Sequence, residues 1–205
     1  MRLLGQDKRA HAMKLRPDTL DDLWHLYNLL EPGDLVTATT QRTVMVGRGD
    51  AEEEKARKKT VTLTVQVERV EFHDFANRLR VLGPIVGTDE QGRYHTLNIE
   101  PLEELSVAKA APWKDHQVQR VTEAVRAGER PLVVFVAIEE GEATLAVLRQ
   151  FGLQEAGVIQ GPGSGKRTGK EEDRAPWFGE VAASLRQHAG DTGVVLVVGP
   201  GFTKD

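Results

Sequence analysis

The 205-residue sequence contains no cysteine, which excludes disulfide bonds, thiol nucleophiles and thiolate metal sites. It also lacks an apolar segment long enough to span a bilayer, so we expect a cytoplasmic protein without membrane contact. Its six histidines are scattered singly, a distribution that does not predict a zinc site. An excess of basic charge is absent too. The net charge is -4, so any contact with nucleic acid must come from local patches.

Acidic residues are missing from the glycine-rich stretch 161–170, which carries three cations, Lys166, Arg167 and Lys170. The stretch partly matches a phosphate-binding Walker A loop. That loop, however, needs a glycine where Gln160 stands and a serine or threonine where Arg167 stands. A nucleotide cradle is therefore not expected. The composition favours a mobile cationic loop that lies along a phosphate backbone, with a solvated surface loop as the alternative.

The first half of the sequence alternates apolar and polar residues over short segments, a pattern typical of antiparallel strands. One helix is expected from Leu20 to Leu30, with Thr19 as its N-cap and residues 32–34 as its stop. The predicted strands cover residues 13–15, 35–46, 60–70, 71–73, 79–83 and 95–99. Short strands with tight turns around one helix predict a small, strongly bent sheet or barrel.

A highly charged loop is expected between two of these strands, from Gly47 to Lys59. Its cations are Arg48, Lys55, Arg57, Lys58 and Lys59. Four acids nearly balance them, but the basic residues gather at the end of the loop. Neither this cluster nor the cationic stretch 161–170 is interleaved with aromatic residues, so stacking of nucleobases is not expected.

A change of pattern between residues 110 and 130 predicts a boundary, with a first domain at 1–127 that ends in a linker helix and a second at 128–205. Helices are expected at residues 113–126, 141–151 and 176–188, and strands at 132–138, 154–160 and 194–198. The apolar run 132–138 is typical of a strand buried on both faces. This alternation indicates a layered α/β domain. Because the sequence stops after two or three strands, we expect that domain to be incomplete.

Several segments resemble the Pelota family, the archaeal and eukaryotic ribosome-rescue factors related to class-1 release factors. They are residues 21–30, 33–34, 71–73, 79–83, 139–143, 161–170 and 199–204. The segments follow the family's order along the whole chain. The resemblance implies an α+β or α/β two-domain chain, in which an Sm-like β-barrel precedes a partial central α/β domain shared with release factors. It also implies a third domain that is absent from this sequence.

The resemblance implies that the protein recognises stalled ribosomes in mRNA surveillance (no-go decay). It would promote ribosome disassembly together with a GTPase of the elongation-factor-1α type and an ABC-type recycling ATPase. Release factors hydrolyse peptidyl-tRNA through a Gly-Gly-Gln tripeptide, which this sequence lacks, as it lacks the stop-codon-reading Asn-Ile-Lys-Ser motif. Entry into the ribosomal A site as a monomer, without hydrolysis and without a cofactor for binding, is therefore implied.

The two basic clusters are the candidates for contacts with mRNA or ribosomal RNA in this interpretation. They comprise Arg48, Lys55, Arg57, Lys58 and Lys59, and then Lys166, Arg167 and Lys170. Contacts of cations with a phosphate backbone carry no sequence information, so recognition of shape and occupancy is expected.

An enzymatic alternative is a metal-dependent endoribonuclease that cuts stalled mRNA, an activity proposed for the family's N-terminal domain. Such a site needs clustered carboxylates around one or two divalent cations. Asp21 and Asp22 are weak candidates for this role, since acids in the first turn of a helix ordinarily complement its dipole. A generic RNA-binding barrel with an appended α/β module is the third interpretation.

Overall fold

The computed structural model describes residues 1–46, 55–128, 132–139, 141–162, 174–191 and 193–200. The chain divides into two compact units, Met1–Glu129 and Arg130–Asp205. No helix in the described part of the chain is long and apolar enough to cross a membrane.

The first unit is a curled antiparallel sheet with two helices. Its elements are β1 (Arg2–Asp7), β2 (Ala12–Arg16), α1 (Leu20–Tyr27), β3 (Leu35–Val46), β4 (Lys55–Gln66), β5 (Arg69–His73), β6 (Arg78–Val86), β7 (Tyr94–Ile99), β8 (Leu105–Ala108) and α2 (Asp115–Ala127). The strand order is β1-β2-β8-β3-β4-β6-β5, and β7 pairs with the other edge of β6. The sheet curls into a half-barrel, which confirms the barrel predicted from the alternating pattern.

Helix α1 begins as the sequence predicts. Thr19 accepts a hydrogen bond from the backbone of Asp22, and the Asp22 carboxylate accepts from the backbone of Thr19, so the two form a capping box. Leu23 and Leu26 are fully buried and anchor the helix on the half-barrel. The helix ends at Tyr27, three residues before the predicted end.

Gly83 lies where β6 changes partners. The first part of β6 pairs with β5, and Val86 and Ile85 pair with β4. A Cβ at Gly83 would lie 1.7 Å from the backbone oxygen of Gln66, far inside van der Waals contact. A glycine is therefore required for β4 to approach β6 this closely.

The second unit contains one sheet and one helix among its described residues. Its elements are β9 (Val133–Glu139), β10 (Glu142–Arg149), β11 (Gly152–Gln160), α3 (Ala175–Ala189) and β12 (Val194–Val198). The strand order is β11-β10-β9-β12, in which β12 runs parallel to β9 and the other pairs are antiparallel. Helix α3 packs Trp177 and Val181 against Val136, Ala143 and Leu145.

The helix predicted over residues 141–151 is wrong, because this segment is strand β10. Ala143, Leu145 and Val147 are buried, while the residues between them are only half-buried. That period of two is the pattern of a strand. A short turn through Gly141, whose φ is +85°, folds β10 directly back onto β9.

Strand β9 differs from the sequence prediction in its burial, whereas β12 is the strand predicted at residues 194–198. β9 alternates buried and half-buried residues rather than being buried on both faces. β12 has all five of its apolar residues exposed by 39–45%, because within the described residues only β9 pairs with it. The sequence patterns did not predict β1, whose six residues are all exposed, or β8, which is only four residues long.

Candidate nucleic-acid interface

Four of the five cations of the first basic cluster lie in a strand of a long β-hairpin rather than in a loop. β3 and β4 pair without interruption from Leu35 opposite Gln66 to Val46 opposite Lys55. We call the outer part of this hairpin, residues 42–46 and 55–59, the hairpin arm. Lys55, Arg57, Lys58 and Lys59 therefore lie in β4, which corrects the predicted loop over residues 55–59, whereas residues 47–54 lie outside the described residues.

The ladder of the hairpin arm fixes the backbone positions of its cations. Lys55, Arg57 and Lys59 occupy alternate positions of strand β4. Arg42 is directly opposite Lys59 in the register, and Lys59 is exposed. Four basic residues thus fall within five positions of a single strand, a local concentration of cations suited to contacts with a phosphate backbone.

The base of the hairpin arm is tied to the segment between β6 and β7. Arg42 forms an ion pair with Glu90, which also lies 3.8 Å from the guanidinium of Arg93. His95 lies nearby with an unpartnered Nε2 atom, and burial, together with the charge of Arg42, lowers the pKa of its imidazole. These contacts hold the base of the arm against the half-barrel.

The remaining predicted cations cannot be placed. Arg48 lies outside the described residues, and so does the entire second cluster of Lys166, Arg167 and Lys170. Their contacts with RNA stay predictions.

The carboxylate of Asp22 has a structural role in this unit. It is 2% exposed, and its Oδ2 atom accepts hydrogen bonds from the backbone of Asp18 at 2.7 Å and Thr19 at 3.0 Å. The same atom lies 2.6 Å from the N-terminal ammonium of Met1. Across the described ranges, no group of three or more His, Asp or Glu side chains is arranged to hold a metal ion.

A buried lysine that sequence reasoning missed joins the two helices of this unit. The Lys109 ammonium donates to the backbone oxygen of Leu29 at 2.7 Å and to Asp34 at 2.6 Å, and its Nζ lies 5.5 Å from the centre of the Trp113 ring. Its contact with Glu31 lowers the pKa of that carboxyl, and Glu31 also accepts from Gln117 of α2. The only sequence signal was a cation directly after the apolar strand β8.

An aromatic cluster forms where α1 meets the edge strand β5. The rings of Trp24 and Tyr27 stack with centroids 5.3 Å apart, and Phe72 meets the edge of Trp24 at 5.4 Å. These residues border a shallow open pocket, the α1–β5 pocket, which is also lined by charged side chains of β5. Of these aromatic residues, Tyr27 is 37% exposed.

The charged side of the α1–β5 pocket centres on Glu71. Its carboxylate contacts Arg69 at 2.8 Å, His73 at 3.2 Å and Arg80 at 3.3 Å. The hydrogen bond from His73 and the charges of the two arginines lower the pKa of Glu71. Two permanent cations therefore surround one carboxylate, beside exposed aromatic surface.

Comparison with known proteins identifies the family. Residues 1–125 match the model of the Pelota N-terminal domain. The chain belongs to the Pelota family. The resemblance noted in the sequence is thus confirmed, as is the two-domain fold class that it implies.

Individual Pelota proteins match beyond the N-terminal domain. The protein pelota homolog of Methanocella arvoryzae is 47% identical over 94% of this chain, which spans 54% of that protein. The crystal structure of Thermoplasma acidophilum Pelota covers the whole chain with a TM-score of 0.73 at 23% identity, and the chain spans 56% of it. A model of ribosome-bound archaeal Pelota and ABCE1 is 37% identical over the whole chain, with a TM-score of 0.54 and 59% of its length matched. The chain therefore spans between half and three-fifths of the Pelota proteins that it matches.

Proposed function

We propose that this protein recognises stalled ribosomes and promotes their disassembly, with its first unit entering the decoding region of the A site. The observation that supports this most directly is the likeness of the whole chain to the ribosome-bound archaeal Pelota, at 37% identity. The partners in this proposal are mRNA, ribosomal RNA, a translational GTPase and the ABC-type recycling ATPase.

The hairpin arm supplies a physical basis for ribosome binding. The chain is acidic overall, so its net charge does not attract RNA and the contact must come from local cations. A backbone held in a β-ladder loses less conformational freedom on binding than the backbone of a mobile loop. The arm thus grips RNA by its phosphates, and the fit of the unit into the A site provides the selectivity.

Peptidyl-tRNA hydrolysis is not part of the proposal. Class-1 release factors carry Gly-Gly-Gln for this reaction, and the tripeptide does not occur in this sequence. The chain contributes recognition, and the energy for splitting the subunits comes from the nucleotide hydrolysis of its partners.

The endoribonuclease alternative stays a prediction, and its test depends on which aspartate is replaced. Replacing Asp22 would remove the helix cap and the partner of the Met1 ammonium, so lost cleavage would not distinguish catalysis from misfolding. Asp21→Asn is the cleaner variant, since Asp22 and its cap remain. Chelator-sensitive RNA cleavage that Asp21→Asn abolishes would favour the nuclease.

Directed hydroxyl-radical probing tests the proposed placement on the ribosome. Because the chain has no cysteine, Lys59→Cys gives a unique site for a tethered iron chelate on the hairpin arm. We expect cleavage of small-subunit ribosomal RNA at the decoding centre. Lys8→Cys is the matched control, an exposed lysine in the β1–β2 turn, three strands away from β3.

Cleavage from Lys59→Cys should disappear when a tRNA fills the A site, because the two would compete for the same space. Equal cleavage with the A site filled, or the same pattern from both cysteine variants, would refute the placement.

A further inference from the structure

We propose that the α1–β5 pocket binds an unpaired nucleobase of single-stranded RNA, which stacks on the aromatic cluster while Arg69 and Arg80 contact the flanking phosphates. The inference deepens the proposed function, on which it rests for the source of the RNA. The site itself is defined by residues that lie outside both basic clusters.

The aromatic side of the pocket has the chemistry of a stacking platform. Tyr27 stacks on Trp24 and remains 37% exposed, so its ring is held in place and is still accessible. Phe72 closes the cluster from β5, at 6.3 Å from Tyr27. A platform whose rings are already packed together loses little side-chain entropy when a base is added.

The charged side of the pocket favours RNA over an acidic or neutral partner. The side chains of Arg69 and Arg80 are 70% and 44% exposed, and Glu71 contacts both. Arg69 and Glu71 line the pocket, and Arg80 adjoins it through Glu71, so this cluster of two guanidinium groups and one carboxylate has an excess positive charge. Glu71 also orients the two guanidinium groups, which present planar donor arrays suited to phosphate oxygens.

The position of β5 adds hydrogen-bonding capacity beside the aromatic rings. β5 is the last strand of its sheet path, and in the described part of the chain no strand pairs with its outer edge. Backbone donors and acceptors along such an edge remain open to the polar edge of a base. Beyond β5, the turn to β6 carries Phe75, which is 99% exposed and whose backbone N–H donates to Asp74. The β5–β6 turn thus offers a second exposed ring.

The test measures binding of the 205-residue chain to a fluorescent oligouridylate of about 12 nucleotides, within the site size of such surfaces. The same backbone without bases serves as the second ligand. Tyr27→Leu should weaken oligouridylate binding by about fivefold or more, because one stacked base is lost. It should leave binding of the base-free backbone unchanged. Tyr27→Phe, which keeps the ring, should bind like the wild type.

Matched controls separate the pocket from general surface effects. Tyr94→Leu removes another exposed tyrosine of the same unit, 62% exposed, and should have no effect. Arg69→Gln should weaken binding of both ligands more than Arg93→Gln does, although the two arginine side chains are similarly exposed, at 70% and 73%.

Three results would overturn the inference. They are an unchanged affinity in Tyr27→Leu, an equal loss for the base-free backbone, or failure of Tyr27→Phe to bind when its thermal unfolding is normal.

Binding of a proline-rich peptide that Tyr27→Leu abolishes, without RNA binding, would instead make the pocket a peptide site. Ribosome binding that persists in Tyr27→Leu would leave the proposed function intact, whereas RNA binding by the pocket without ribosome binding would refute only that function.

Discussion

At the scale of single residues, the buried ion pair between Lys109 and Asp34 stabilises the junction of α1 and α2. Both side chains are 5% exposed, and the lysine also donates to the backbone oxygen of Leu29. Lys109→Met should lower the free energy of unfolding by about 3–5 kcal/mol, because it leaves a buried carboxylate without its cation. Urea denaturation measures this change.

Lys14→Met is the control for that experiment. Its ion pair with Glu104 is half exposed, with side chains at 55% and 49%, and should be worth at most about 1 kcal/mol. Similar losses in the two variants would show that burial does not determine the contribution of Lys109.

His25 gives this unit a pH-dependent stability. The residue is 8% exposed, and neither ring nitrogen has a hydrogen-bond partner. Burial lowers the pKa of its imidazole, and the charges of Arg120 and the Met1 ammonium act in the same direction. The charges of Asp22 and Asp21 oppose this effect. An unfolded histidine has a pKa of about 6.5. The stability contribution is therefore complete above that pH and is lost as the pH falls through the lowered folded-state pKa, since only the unfolded chain then takes up the proton readily.

The melting temperature of His25→Leu should consequently fall less than that of the wild type between about pH 7.5 and pH 5.5. His116→Gln, which changes an exposed histidine of α2, should fall as the wild type does. Identical pH profiles for His25→Leu and the wild type would contradict this account.

At the scale of elements, Gly83 determines whether β4 and β6 can join. Gly83→Ala should destabilise the first unit by about 2 kcal/mol or more, because the new Cβ would overlap the backbone oxygen of Gln66. Gly5→Ala is the control, since a Cβ there meets nothing within 4 Å, and its effect should stay within about 0.5 kcal/mol. Thermal unfolding compares the two, and equal stabilities would refute the close approach.

The elements also show what the sequence could predict and where it failed. The capping box of α1 and the alternating face of β4 are local patterns, and both are found as predicted. The helix prediction for residues 141–151 was wrong because Ala and Leu favour a helix locally. Pairing with β9 and β11 makes the segment a strand. The predicted loop was wrong over residues 55–59 for the same reason, since these charged residues extend a ladder that begins at Leu35 and Gln66.

The α1–β5 pocket could not have been predicted from either of its segments alone. Trp24 and Tyr27 are separated from Phe72 by more than 40 positions, and only the topology of the sheet brings β5 against α1. Lys109 and Asp34 are likewise 75 positions apart. Sequence patterns identify faces of elements, and long-range contacts decide which faces meet.

At the scale of the whole molecule, the proposal is that an acidic chain binds RNA through a small number of local cations. This charge distribution predicts a ribosome affinity that is strongly salt-dependent and local in origin. Neutralising cations on the hairpin arm should therefore lower the ribosome affinity, whereas the same change of charge elsewhere in the first unit should not.

The most direct test is the affinity of the chain for small ribosomal subunits, measured between about 50 and 200 mM salt. The double variant Arg57→Gln/Lys59→Gln is compared with Lys8→Gln/Arg9→Gln, which changes the net charge equally in the exposed β1–β2 turn. The account predicts that only the arm variant loses affinity and that its logarithmic salt slope becomes shallower by about 1.4–1.8, as expected for two lost phosphate contacts. Equal losses in both variants, or an unchanged slope in the arm variant, would contradict the role of the hairpin arm.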